Sequence, residues 1–363
     1  MSSTFGKNIR ISIFGQSHSD SIGVVMDGLP AGHKIDFEEL MDFMSRRAPG
    51  RDEYSTPRFE EDAPEVLSGL KDDVLCGAPL AMIIKNKNIR PSDYSDIQSK
   101  ARPGHADYTS WLKYGDARDH TGGGHFSGRL TAPLCIAGGI ILQLLAEEEV
   151  YVGAHINEIS TVRGERFDPI KIRVNDFNAI RKRDFPVHDI RAGELMKREI
   201  ESAKQDLDSV GGVIECAVLG FPAGVGSPMF NGLENDLSAA LFAIPAVKGI
   251  EFGSGFDGSR TRGSANNDPF IIKDGEIETS SNNHGGILGG ISSGMPIIFR
   301  VAIKPTSSIG IEQKTVDFVN RTESTIAIKG RHDPCIVQRA VPCVEAASAI
   351  ALYDSLLDFK NTK

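Results

Sequence analysis

The residues best suited to chemistry lie between Arg102 and Arg129, in RPGHADYTSWLKYGDARDHTGGGHFSGR. Arg102, Arg118 and Arg129 share this stretch with His105, His120 and His125, three of the chain's nine histidines. Gly122 to Gly124 stand shortly before an apolar segment, Leu130 to Ala146. Glycines without Cβ let backbone N–H groups close on a ligand, and a helix start behind them favours an anion. Arginine offers a planar fork to phosphate or carboxylate, and histidine exchanges a proton near neutral pH. The stretch reads as an anion-holding loop feeding a helix, with proton-transfer groups on the approach. A glycine run alone is more often a polar surface loop. The cations and imidazoles beside it shift that balance.

Other groups of the same kind are scattered along the chain. His18, beside Ser17, follows an alternating strand at Asn8 to Phe14 and precedes one at Ile22 to Met26, on a tight connection where functional groups are often displayed. Arg46 and Arg47 close a helix that Asp36 caps and Pro49-Gly50 stops. Lys304-Pro305-Thr306-Ser307-Ser308 leaves a strand with a cation and three hydroxyls suited to a phosphate or a cofactor edge. Arg331, His332 and Asp333 lie in GRHDPC. Three classes fit these parts: a phosphate-ester lyase or flavin-linked enzyme, a metal-dependent hydrolase, and a phosphometabolite-binding module. The two H-x-D pairs, His18/Asp20 and His105/Asp107, speak for a metal. The absence of HExxH, and the arginines in the same loops, speak against one. Local chemistry leaves the choice open.

The elements that must position these groups alternate. Strands are expected at Val66 to Leu70, Pro79 to Lys85, Tyr151 to Asn157, Gly211 to Leu219, Ala246 to Phe252, Pro296 to Ile303 and Thr325 to Ile328. Helices are expected from about Ser127 to Glu149, Gly193 to Leu207, Glu234 to Ala243 and Val341 to Leu357. Thr161 to Arg191, with Arg181-Lys182-Arg183-Asp184, reads as an irregular charged surface excursion within about 159–210, and Gly253 to Gly294 as a long loop. The 363 residues are 40% apolar and 25% charged, ordinary for a globular protein with a large core. A net charge of −9 without a long Lys/Arg block excludes generic nucleic-acid binding, so motif arginines act on a small anion. Five dispersed cysteines, with no CxxC and no secretory leader, point to reduced thiols and the cytoplasm. The longest apolar run, Ala132 to Ala146, is shorter than the ~20 residues of a membrane span and reads as a core helix.

Taken in order, FGQSH at Phe14 to His18, Arg46-Arg47, RPGHADYT from Arg102, the three glycines, Val247-Lys248-Gly249, Gly285 to Gly294, KPTSS from Lys304 and GRHDP from Gly330 resemble chorismate synthase over about Phe5 to Leu357. The resemblance implies an α+β fold, a β-α-β sandwich of mixed sheets and helices in a single large domain over 1–363, usually as a homotetramer. It implies anti-1,4-elimination of phosphate and the C6 proton from 5-enolpyruvylshikimate 3-phosphate, giving chorismate with reduced FMN required. By the same resemblance His18 protonates the departing phosphate, His105 serves the flavin and Asp333 tunes proton removal near it. Ser17, Arg47, Arg102, Arg129 and Arg331 would face the substrate. His125-Phe126-Ser127, Pro245-Ala246, Gly289, Lys304 to Ser308 and Arg331 would contact FMN; no metal is implied. The family commonly has Arg-Ser-Ser where this chain has His125-Phe126-Ser127, and cations where Ala48 and Glu53 stand. Those losses imply that a separate reductant or flavin reductase, rather than the chain's own use of NADPH, supplies reduced flavin.

Overall fold

The alternating isoleucines of the first strand find a core on one side. In the computed structural model, which describes residues 3–50, 62–86, 98–328 and 333–362, β1 (Arg10–Gly15) pairs antiparallel with β2 (Ser21–Asp27). Ile9 and Ile11 are buried with Val24 and Met26. β3 (Glu65–Ser68) and β4 (Leu80–Lys85) complete this sheet in the order β1-β2-β4-β3, with a two-residue strand, Thr4–Phe5, outside β1. The second sheet joins β5 (Tyr151–Ile159), β6 (Gly212–Leu219), β7 (Val247–Phe252) and β8 (Ile297–Ile303) in the order β7-β8-β6-β5, with Val162–Arg163 at its edge. All pairings in both sheets are antiparallel.

Helices fill the space between the sheets. α1 (Phe37–Arg47) starts on Asp36, whose carboxylate accepts the Glu39 N–H at 3.0 Å. α2 (Asp107–Tyr114) follows the RPGHA loop. α3 (Thr131–Glu147) packs on β2 and β4, and α7 (Val337–Thr362) packs on β5 and β6. α3 and α7 also press on each other so closely that a Cβ on Gly138 would overlap Ala346. The layering is sheet, helices, sheet, the α+β sandwich expected from the sequence. α3 with its preceding turn, Gly128–Glu147, and α7 are each long and apolar enough to cross a membrane. Both are mostly buried inside the protein, at 78% and 89% of the relevant window, and so act as core helices.

Three local expectations are corrected. The segment Thr161 to Arg191 is not irregular: it contains α4 (Val174–Arg181) and the start of α5 (Ile190–Gln205). Phe167, Ile172, Phe177 and Ile180 form a small buried cluster with Ala217 and Ile298 of the second sheet. The charges masked four well-spaced apolar residues. The Gly253 to Gly294 loop holds two hairpins, Phe270–Lys273 with Glu276–Thr279 and Ile287–Leu288 with Ile291–Ser292. The strand expected at Thr325 to Ile328 is Thr322–Ile326, and it pairs with an unanticipated partner, Gln313–Asp317. α6 (Leu233–Leu241) lies where a helix was expected.

Candidate active site

The glycine run makes room for two histidines. Gly122, Gly123 and Gly124 have φ of +63°, +106° and +55° and are not helical. Such angles are costly for residues with a Cβ. A side chain on Gly122 would overlap the His18 ring, and one on Gly123 would meet His105 Cε1 at 3.2 Å and Nε2 at 3.3 Å. Adjacent backbone units therefore lie against His18 and His105. The glycines, expected mainly as anion-facing N–H donors, are needed first for this close approach.

Each histidine is oriented by a neighbour. Ser17 Oγ donates to the Thr121 carbonyl at 3.0 Å, so it accepts from His18 Nδ1 at 3.0 Å. The Ser17 N–H donates to the Gly124 carbonyl at 3.1 Å, tying the β1–β2 loop to the glycine turn. His105 Nδ1 lies 2.8 Å from Asp107 Oδ1, an arrangement that fixes the ring as carboxylate–histidine pairs do. Arg102 donates to the same carboxylate from its backbone N–H at 3.0 Å, from Nε at 2.7 Å and from Nη2 at 2.8 Å. Burial opposes the charge on Asp107, but Arg102 and His105 outweigh it and hold the carboxyl well below the usual range. Asp107, weighed from sequence as half of an H-x-D metal pair, instead anchors an arginine and a histidine. Among the described residues no three His, Cys, Asp or Glu side chains gather as a metal-ligand set.

The KPTSS turn closes on the same loop. Lys304 Nζ donates to Ser307 Oγ at 2.7 Å, and Ser307 Oγ donates to the Gly104 carbonyl at 2.8 Å. Arg102 Nη1 reaches Ser308 Oγ at 3.3 Å. Burial, then the neighbouring Lys248, lowers the Lys304 pKa. Thr306 Oγ1 is buried and has no hydrogen-bond partner among the described residues. Ala246, whose carbonyl accepts the Lys304 N–H at 2.9 Å, has a φ of +76°, a strained value for a non-glycine. Pro245 beside it is exposed.

Three further arginines converge nearby. Asp62, fully enclosed, pairs through its two oxygens with Arg47 at 2.9 Å and with Arg129. Arg129 Nε also donates to Asn86 Oδ1 at 3.3 Å, and Asn86 Nδ2 donates to the Ser19 carbonyl at 2.6 Å, next to His18. Arg339 donates to the Arg47 carbonyl at 3.1 Å and to Asp333 at 2.6 Å. Burial first lowers the Arg339 pKa, with Asp333 acting against it. Among the described residues, five cations, Arg47, Arg102, Arg129, Arg339 and Lys304, thus accompany three carboxylates, Asp62, Asp107 and Asp333. Buried and half-buried cations gathered in this way favour an anionic ligand.

Not every expected residue joins this cluster. Arg331 lies outside the described residues, as do His332 and Glu53. His125 is engaged on both ring nitrogens, with the Gly15 carbonyl at 2.8 Å and Ser3 Oγ at 2.8 Å. Phe126 is exposed and tilts on Tyr114, and Ser127 caps the short turn before α3. Gly289 tips the hairpin whose neighbours are Gly226, Ser227 and Gly232, and a Cβ placed on it would meet nothing within 4 Å. Asp62, Asn86 and Arg339 were not singled out from sequence. Asp62 follows two glutamates in an acidic run, and Arg339 lies inside an apolar helix, so neither has a local signature.

A family profile described as chorismate synthase matches residues 9–357. A chorismate synthase of Lancefieldella parvula is 44% identical over 99% of this chain and 98% of its own. One from Dehalococcoides mccartyi is 46% identical over 98% and 97%, and one from Pyrococcus abyssi 44% over 97% of each chain. A crystal structure of a chorismate synthase superposes with a TM-score of 0.78 at 25% identity, covering 98% of this chain and 93% of that one.

Proposed function

The chain belongs to the chorismate synthase family of lyases in aromatic amino acid biosynthesis, and from that premise we propose how its own residues carry the reaction. The substrate is 5-enolpyruvylshikimate 3-phosphate, which loses phosphate and the C6 proton to give chorismate. The observation that carries this reading is the pair of histidines against one glycine turn, inside a cluster with surplus cations. Arg47 and Arg129, oriented by Asp62, bind the anionic groups. His18, turned by Ser17, donates a proton to the departing phosphate through the ring nitrogen opposite Nδ1. Such a donor contributes ~10²–10⁴-fold, because a phosphate leaves poorly without a proton or a paired cation.

FMN fits the other half of the cluster. The orphaned Thr306 hydroxyl, the Lys304 and Ser307 head groups and the Gly104 turn form a polar edge of the kind a flavin needs. When bound and reduced, FMN would supply an electron-rich ring to the reaction, with no net redox change. His105 and Arg102 hold protons and charge at that edge, and Asp333, held by Arg339, takes part in removing the C6 proton. His125 is a weaker candidate for FMN contact, since both of its ring nitrogens are engaged within the protein. We also propose a cytoplasmic homotetramer supplied by a separate flavin reductase.

Anaerobic incubation with 5-enolpyruvylshikimate 3-phosphate and dithionite-reduced FMN tests the reading. Chorismate absorbance should appear at a rate proportional to enzyme. No chorismate, together with chelator-sensitive release of phosphate, would establish a metal-dependent hydrolase instead.

A further inference from the structure

A second cationic feature stands apart from the two histidines. A recess of about 80 Å³ opens where the C-terminal ends of α1 and α4 meet the first turns of α7. Arg46, Arg181, Lys182, Arg183 and Arg339 line it, and among the described residues Asp184 is the one carboxylate on its wall. The run Arg181 to Asp184, read from sequence as a solvated face, thus folds partly inward.

Two of these cations already have carboxylate partners. Arg46 grips Glu345 through both terminal nitrogens, at 2.5 and 3.1 Å, and Arg339 holds Asp333 at 2.6 Å. The others do not. Arg181 Nη2 donates to the Val152 carbonyl at 2.5 Å, and Arg183 Nη1 donates to the carbonyls of Val187 and His188. Carbonyls orient a guanidinium without cancelling its charge. Arg181 Nε is buried with no acceptor among the described residues, an uncommon state for a buried donor. The Lys182 ammonium has no partner among them either. With Asp184, Glu345 and Asp333 set against five cations, two positive charges remain among the described residues.

We infer that this recess binds one small tetrahedral oxyanion of the phosphate class. A dianion matches the residual charge. The size agrees: a recess of about 80 Å³ has room for several waters or one small anion, and is far below the ~300 Å³ at which pockets for drug-sized ligands begin. Arginine forks and one lysine are the donors such an anion takes. The inference rests on Arg181, Lys182 and Arg183, whose hydrogen bonds go to backbone carbonyls where they have them, and the Arg339–Asp333 pair is the part of the recess shared with the proposed reaction.

The full-length protein provides the test. Crystals soaked in tungstate, a heavy tetrahedral dianion, should show an anomalous peak within hydrogen-bond distance of Arg181 and Lys182. In calorimetric titrations with inorganic phosphate, Lys182→Ala should weaken one binding component by about tenfold, the effect of losing one charge-assisted contact. Lys182→Glu should abolish that component while leaving the melting temperature unchanged, because the side chain holds nothing in the fold. Competition between inorganic phosphate and glycerol 3-phosphate identifies the source: displacement by the ester marks a phosphomonoester site, and exclusion of the ester marks a free-phosphate site. Tungstate absent from the recess, or a Lys182→Glu protein that titrates like wild type, would overturn the inference.

Discussion

If Gly122 is glycine because His18 lies against it, adding one methyl group should disable the acid without unfolding the protein. Gly122→Ala meets two separate penalties. The first is the backbone: at a φ of +63° an L-residue pays about 1–2 kcal/mol. The second is contact: the new Cβ would overlap His18 Cε1 and Nδ1 and stand 2.9 Å from Ser17 Oγ, so the imidazole must swing off its serine. Gly115→Ala is a control for a positive-φ alanine without the contact, since Gly115 has a φ of +57° and nothing within 4 Å of its would-be Cβ, although its ψ of −141° differs from the 0° of Gly122. Displacing a general acid removes ~10²–10⁴ in rate, a barrier increase of about 3–5 kcal/mol. Single-turnover chorismate formation and melting curves should then separate the variants. Gly115→Ala should lose thermal stability at full rate. Gly122→Ala should lose thermal stability and also at least a hundredfold in rate, given the lower end of that range. His18→Ala should lose rate alone. Because Gly122→Ala acts through His18, the double variant should be no slower than the worse single one. A Gly122→Ala enzyme at wild-type rate, or rate losses that multiply, would refute the reasoning.

Asp107→Asn should destabilise the fold by about 3–5 kcal/mol at neutral pH, because Arg102 loses the carboxylate that holds it in a buried position. The folded pKa of Asp107 is depressed, so its contribution is present above the unfolded aspartate value of ~3.9 and is lost as pH falls below it. Chemical denaturation should accordingly find wild type and variant converging as pH is lowered from 5 to below ~3, and a gap that stays constant would contradict the pairing. Ala48 and Glu53 stand where the resemblance to chorismate synthase leads one to expect cations, so we propose that NADPH with FMN alone gives no chorismate. Aerobic product formation under those conditions, followed by absorbance, would show that this chain reduces its own flavin.

The candidate site residues could be picked out by type in the sequence because most of them sit in short loops with marked composition. His18 on its strand connection, the Asp36 cap and most of the strands themselves follow from local pattern, since period and capping are properties of neighbours in the chain, whereas the order in which the strands pair does not. The α4 segment was missed because its charges outnumber its four buried apolar residues, and packing on β6 and β8 decided its helix. The site itself is a matter of partners distant in sequence. Asp62 binds Arg47 and Arg129, Arg339 binds Asp333, and Gly122 and Gly123 face His18 and His105. Sequence names the residue types that can hold an anion or move a proton. Which carboxylate cancels which arginine, and therefore where positive charge is left over, depends on distances of a few ångströms that only the packed sheets and helices fix.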